Sequence, residues 1–89
     1  MTGTEKQIEY ATTLKALFVK AYQAEIDENN DVPDYVARLQ SEMDFVNAYD
    51  GDAGKFINRF KRMGTDPDYF TARSALRNFQ MDEKLRNLK

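Results

Sequence analysis

The chain has 89 residues and contains neither cysteine nor histidine, which excludes disulfide bonds, thiolate nucleophiles, imidazole general bases and the usual zinc ligands. Its 42% hydrophobic and 31% charged content is typical of a globular domain, and its length predicts one domain over residues 1–89. Residues 1–50 carry four basic and ten acidic side chains, whereas residues 51–89 carry nine basic and five acidic ones. The net charge of −2 therefore conceals a basic C-terminal half, which is suited to an anionic partner.

No stretch approaches the roughly 18 apolar residues of a membrane span, and Glu5, Lys6 and Glu9 interrupt the region that a signal peptide would need to be apolar. We therefore expect a soluble, cytoplasmic protein without membrane association.

The first predicted helix covers about residues 4–27. Thr4 and Gln7 have the spacing of a capping box. Apolar residues then recur in steps of three and four, as expected for one helical stripe: Ile8, Ala11, Leu14, Phe18 and Ala21. The polar run Asp27 to Asn30 is turn chemistry and ends the helix.

The second predicted helix starts with Asp31 as the cap and Pro33 in the first turn, and it ends near Tyr49 before the turn sequence 50–52. A short third helix, about 53–63, follows an Asp52 cap and stops at Gly64.

A fourth helix is predicted to start at Asp66-Pro67 and to reach about Asn87. Its apolar residues change face along the way. The helix therefore either breaks near Phe79 or packs its last two turns against something different. The fold class expected is all-α, a small bundle of about four helices with no sheet.

The basic residues of helices three and four form two stripes that are suited to phosphate groups or to an acidic protein surface. These candidate binding residues are Lys55, Arg59, Arg62, Arg73, Arg77 and Lys84. The alternative is that they form a solvated face paired with acids of helices one and two. The ten acids of residues 1–50 are a second candidate surface, with ordinary solubilising charge as its alternative.

Near the C-terminus, Met81, Leu85 and Leu88 form a short apolar seam. Either the tail folds back over the core, or the seam is exposed and contacts a partner or a second copy of the chain.

Catalysis is not expected, since the common catalytic side chains are missing and no phosphate-binding glycine loop occurs. Stretches that begin at Asp27 and Asp50 match the start of a calcium loop, but Arg38 and Lys61 stand where its bidentate glutamate would be. We expect no metal site and no cofactor.

The opening segment Gly3-Thr4-Glu5-Lys6-Gln7-Ile8-Glu9-Tyr10-Ala11 resembles the start of small accessory proteins from phages and mobile elements of Gram-positive bacteria. The resemblance covers these nine residues. It implies an accessory protein acting in a bacterial host, of the kind that inhibits host defence, such as an anti-CRISPR protein.

The main functional hypothesis is a non-enzymatic, stoichiometric inhibitor or adaptor of a host protein or nucleoprotein complex. The first alternative is a small regulator that binds DNA or RNA through the basic faces of helices three and four. The second is a structural module that forms a homodimer through Met81, Leu85 and Leu88.

Overall fold

The structure, a computed structural model, describes residues 1–61, 68–78 and 80–88. Five helices follow one another in this part of the chain: α1 (Glu5–Glu28), α2 (Pro33–Ala48), α3 (Ala53–Lys61), α4 (Tyr69–Arg77) and α5 (Met81–Arg86). The described residues contain no strand, only an isolated bridge between Thr2 and Asp52. The predicted all-α fold class is confirmed.

The α1 helix begins as its sequence predicts. The Thr4 hydroxyl accepts a hydrogen bond from the Gln7 amide at 3.2 Å, and the Gln7 side-chain oxygen accepts one from the Thr4 amide at 3.0 Å. This capping box pairs two amides that the helix cannot pair internally.

The other helix starts agree with the sequence only in part. Asp52 caps α3 by accepting from the Lys55 amide at 2.9 Å, as predicted. The predicted Asp31 cap is wrong, because α2 starts from Val32 without a side-chain cap and relies on Pro33 in its first turn. At α4, Asp68 is the N-cap and accepts from the Thr71 amide at 2.8 Å. The predicted signals at Gly64 and Asp66-Pro67 lie outside the described residues.

The predicted fourth helix is two helices, because α4 ends at Arg77 and α5 begins at Met81. This confirms the alternative of a break near residue 79, although Phe79 itself lies outside the described residues. The change of apolar face noted in the sequence is the physical reason. With the break, α4 packs against α1 while α5 packs against α2.

The α1 helix is the centre of the fold, since α2, α3 and α4 all pack against it. Phe18 of α1 lies 4.6 Å from Phe60 of α3, measured between ring centroids, and Phe56 lies 4.4 Å from Phe60. Tyr49, after α2, stacks on Phe56 at 5.2 Å. These tilted and stacked rings add attraction to the area that they bury, and they position α3 against both α1 and the end of α2.

The apolar seam near the C-terminus belongs to this core. Met81, Leu85 and Leu88 are buried in the same cluster as the apolar residues of α1. The prediction of an exposed contact through these three residues is therefore wrong. The tail folds back, because burying three large apolar side chains is more favourable than leaving them in water.

Candidate binding surfaces

Glu25 lies where the apolar stripe of α1 continues one turn beyond Tyr22, and it is only 1% exposed. The Nε atoms of Arg73 and Arg77 both donate to its Oε1 at 2.7 Å. Glu28, one turn later, also pairs with both arginines. We call these four residues the Glu25 cluster; it joins α1 to α4 across more than 40 residues of sequence.

Further hydrogen bonds complete the surroundings of the Glu25 carboxylate. The Asn29 side chain and the Tyr35 hydroxyl donate to Oε2 at 3.2 and 3.3 Å. Burial by itself raises the pKa of Glu25, but the hydrogen bonds from Arg73 and Arg77 outweigh it and hold the pKa below its ordinary value. The carboxylate is therefore charged and fully engaged within the fold.

This arrangement corrects the expectation for Arg73. It is buried and its guanidinium is committed to Glu25, Glu28 and the Tyr69 hydroxyl, so it cannot grip a phosphate backbone at the surface. Arg77 keeps 58% of its side chain exposed although it pairs with both glutamates. The alternative interpretation of the sequence, in which basic residues of the later helices pair with acids of the earlier ones, holds for these two arginines.

The other predicted cations lie elsewhere. Lys55 is exposed on α3, and Arg59 is half-buried one turn further on. Lys84 of α5 donates to the main-chain oxygen of Arg59 at 3.2 Å, which brings α3 and α5 together. Arg62 lies outside the described residues. The structure therefore separates the predicted basic set into an engaged pair on α4 and a second group at the junction of α3 and α5.

Phe70 is the functional candidate that sequence reasoning missed. It is 79% exposed, whereas Phe18, Phe56 and Phe60 are completely buried. Phe70, Ser74 and Arg77 follow one another at i, i+4 and i+7 on the outer face of α4, beside a groove that Glu28 and Asn78 also line. We call Tyr69, Phe70, Ser74 and Arg77 the Phe70 surface. The signal in the sequence is that Phe70 lies about 100° away from the face of α4 that Tyr69, Ala72 and Leu76 share.

Tyr69 gives this surface a fixed base. Its hydroxyl accepts from Arg73 Nη1 at 2.9 Å, and the Lys20 ammonium lies 5.3 Å from the centroid of its ring. Phe70 contacts the same ring edge-on at a centroid distance of 5.7 Å. The exposed Phe70 ring therefore packs against Tyr69, which hydrogen bonding and cation–π attraction hold in place.

The described residues contain no group of three or more acidic, histidine or cysteine side chains that could hold a metal ion. None of their helices is long and apolar enough to cross a membrane. Comparisons with protein-family models, with curated proteins and with solved structures give no match.

Proposed function

We propose that this chain is a non-catalytic binding protein that acts as a stoichiometric inhibitor or adaptor and docks on a protein partner through the Phe70 surface. The observation that carries the proposal is the 79% exposure of Phe70 on a helix whose opposite face is fully packed. Burying a phenylalanine stabilises a fold by about 1.5–3 kcal/mol, and Phe70 forgoes this gain. Partner binding recovers it.

The composition of the surface supports a protein partner. Aromatic and arginine side chains dominate the binding energy of protein interfaces, and they act best where a polar rim excludes water around them. Phe70 and Arg77 supply this pair, with Ser74, Asn78 and Glu28 around them. Because Tyr69 is already fixed, little ordering entropy is lost when a partner docks.

The non-catalytic part of the proposal rests on the composition, which lacks histidine and cysteine. The resemblance of residues 3–11 to phage and mobile-element accessory proteins guides the choice of partners to test. The first candidates are bacterial host proteins and nucleoproteins, with defence nucleases among them.

The test compares Phe70→Ser with a matched control, Val32→Ser. Among the described residues, Val32 is the other large apolar side chain that is exposed, at 44%, and it lies at the start of α2. Phe70→Ser is expected to keep the free energy of unfolding within about 0.5 kcal/mol of the parent, whereas Val32→Ser supplies a side-chain cap that α2 lacks and should raise it by up to about 1 kcal/mol. Affinity purification from the bacterial host should recover a protein with the parent and with Val32→Ser but not with Phe70→Ser. With that protein purified, calorimetry should show at least about thirtyfold weaker binding for Phe70→Ser.

Two results would contradict the proposal. One is the same set of bound proteins for all three chains. The other is a concentration-dependent dimer in sedimentation that Phe70→Ser abolishes, which would assign the Phe70 surface to a second copy of the chain.

Nucleic-acid binding is the second candidate function, supported by Lys55 and Arg59, which form no ion pair with any described carboxylate. This function has less support than the sequence alone gave it, because Arg73 and Arg77 form ion pairs with glutamates. Gel shifts at low ionic strength test it: binding that falls steeply with salt and weakens in Arg59→Gln would support it, and no shift would exclude it.

A further inference from the structure

A cleft lies between α3 and α5. Arg59 lines it from α3, and Gln80, Glu83, Lys84 and Asn87 line it from the start and the body of α5. Its volume is about 230 Å³, several times the ~30 Å³ that a water molecule occupies in the liquid. A charged group the size of a carboxylate can therefore enter together with some of its water.

The structure places two cations on the walls of this cleft. Lys84 is held by its hydrogen bond to the Arg59 main-chain oxygen, so its ammonium stays beside the α3 wall. The Arg59 guanidinium forms no ion pair with a described carboxylate, in contrast to Arg73 and Arg77. No buried side-chain nitrogen or oxygen of the described residues lacks a hydrogen-bond partner, so the unused donors of Arg59 face the cleft or solvent.

We propose that this cleft binds one carboxylate group from an acidic segment of the protein partner. Arg59 supplies the planar pair of donors that matches a carboxylate, and Lys84 supplies a second positive charge. The Gln80 amide supplies further N–H donors, and the Asn87 amide supplies one, since its other N–H donates to the Glu83 main-chain oxygen at 2.9 Å. The inference deepens the proposed function, since it names the chemistry of a second contact with the same class of partner.

Charge favours a single carboxylate over a polyanion. Among the described residues that line this cleft, two cations and the carboxylate of Glu83 sum to one net positive charge, whereas the whole chain carries −2. A nucleic acid gains affinity by having many phosphates neutralised at once, and here the acidic residues of α1 and α2 repel the rest of its backbone. A short acidic segment that places one carboxylate in the cleft carries fewer charges than a nucleic acid and meets less of that repulsion.

The experiment is an NMR titration of the full chain with a capped tetraglutamate peptide, with capped tetraglutamine as the uncharged control. Because it requires no purified partner and leaves Phe70 unchanged, it gives its result whether or not the Phe70 surface binds anything. We expect saturable shifts at Gln80, Lys84 and Asn87 with tetraglutamate only.

The variants separate a built site from general attraction. Arg59→Gln should weaken binding about tenfold, the effect of losing hydrogen bonds to a charged group, and Lys84→Gln should weaken it similarly. Lys55→Gln removes the same charge one helical turn away without lining the cleft, and it should change affinity less than about twofold. Circular dichroism confirms that each variant is folded.

Three outcomes would overturn the inference. The first is an absence of localised shifts with tetraglutamate. The second is equal weakening by Arg59→Gln and Lys55→Gln. The third is tighter binding of an oligothymidylate of equal charge at the same residues, which would assign the cleft to nucleic acid.

Discussion

At the level of single residues, Glu25 is the unusual position of the fold, because it is an acid in the apolar stripe of α1. Removing a carboxylate from water is costly, and the hydrogen bonds from two arginines, Asn29 and Tyr35 compensate for that cost. The sequence shows the position of Glu25 on the stripe, but its partners are far away in the chain. The expectation that the ten acids of residues 1–50 form one exposed surface is therefore wrong for Glu25, which is buried by residues that its spacing along α1 does not reveal.

Replacing Glu25 should destabilise the protein strongly. Glu25→Gln leaves Arg73 buried with only Glu28 to neutralise it, and we expect the free energy of unfolding to fall by about 3 kcal/mol. Urea denaturation measures this. Glu9→Gln makes the same chemical change at an exposed position of α1 and should cost less than about 0.5 kcal/mol. Equal effects of the two changes would show that the Glu25 cluster contributes nothing.

The lowered pKa of Glu25 makes the free energy of unfolding depend on pH. The unfolded chain, with an ordinary glutamate pKa of 4.5, binds a proton before the folded chain does. The contribution of Glu25 is therefore complete above pH 4.5 and is lost as pH falls through the lower folded pKa. Asp50 and Asp68, whose pKa values are also lowered, act in the same direction. Urea denaturation repeated from about pH 7 down to about pH 3 should show a smaller loss of the free energy of unfolding in Glu25→Gln than in the parent.

At the level of helices, local chemistry predicts starts well where the cap and the helix are neighbours in sequence. The capping box at Thr4 and the side-chain cap at Asp52 are of this kind. Asp31 was a plausible cap, but the structure starts α2 one residue later, and Pro33 supplies the fixed backbone angle instead. A propensity for capping does not decide which of two adjacent residues starts the helix.

Two alanine substitutions test this distinction. Thr4→Ala removes an acceptor from the capping box and should lower the free energy of unfolding by about 1 kcal/mol. Asp31→Ala, which removes no cap, should change it by less than about 0.5 kcal/mol. Thermal unfolding followed by circular dichroism compares them. A larger effect at Asp31 than at Thr4 would contradict the assignment of both helix starts.

The short α5 helix is stable only through what it buries. Met81, the first residue of α5, is completely buried. Met81→Ala should therefore lower the free energy of unfolding by about 2–5 kcal/mol, as cavities of this kind do. Ser74→Ala, on the exposed face of α4, is the control and should have little effect. If Met81→Ala leaves the free energy of unfolding in urea unchanged, the burial of this side chain is contradicted.

For the whole molecule, the charge asymmetry of the sequence is partly cancelled by folding. Glu25 and Glu28 from the acidic half meet Arg73 and Arg77 from the basic half, so four of the charges neutralise one another between α1 and α4. Because α1 packs against α4, the acidic half and the basic half of the sequence do not lie at opposite ends of the folded molecule. This is why the fold class was predictable from the sequence but the location of the proposed binding surface was not.

The folded molecule should therefore behave as an acid. With a net charge of −2 and its α4 arginines engaged, we expect it to pass through a heparin column at roughly physiological salt and to be retained by an anion exchanger. Glu28→Gln, which frees part of Arg77, should shift elution from the anion exchanger to lower salt. Retention of the parent on heparin would favour the nucleic-acid function instead.

The central position of α1 also limits how this sequence can vary. Three helices cover α1, so its residues are free to change only along the strip that faces solvent, among them Glu5, Glu9, Thr12, Thr13 and Ala16. Homologues that keep this fold should therefore differ along that strip and agree elsewhere in the helix. Outside α1, divergence should be concentrated on the exposed side of α2, away from its buried Leu39 and Val46, and the Phe70 surface, as the proposed docking site, should vary less.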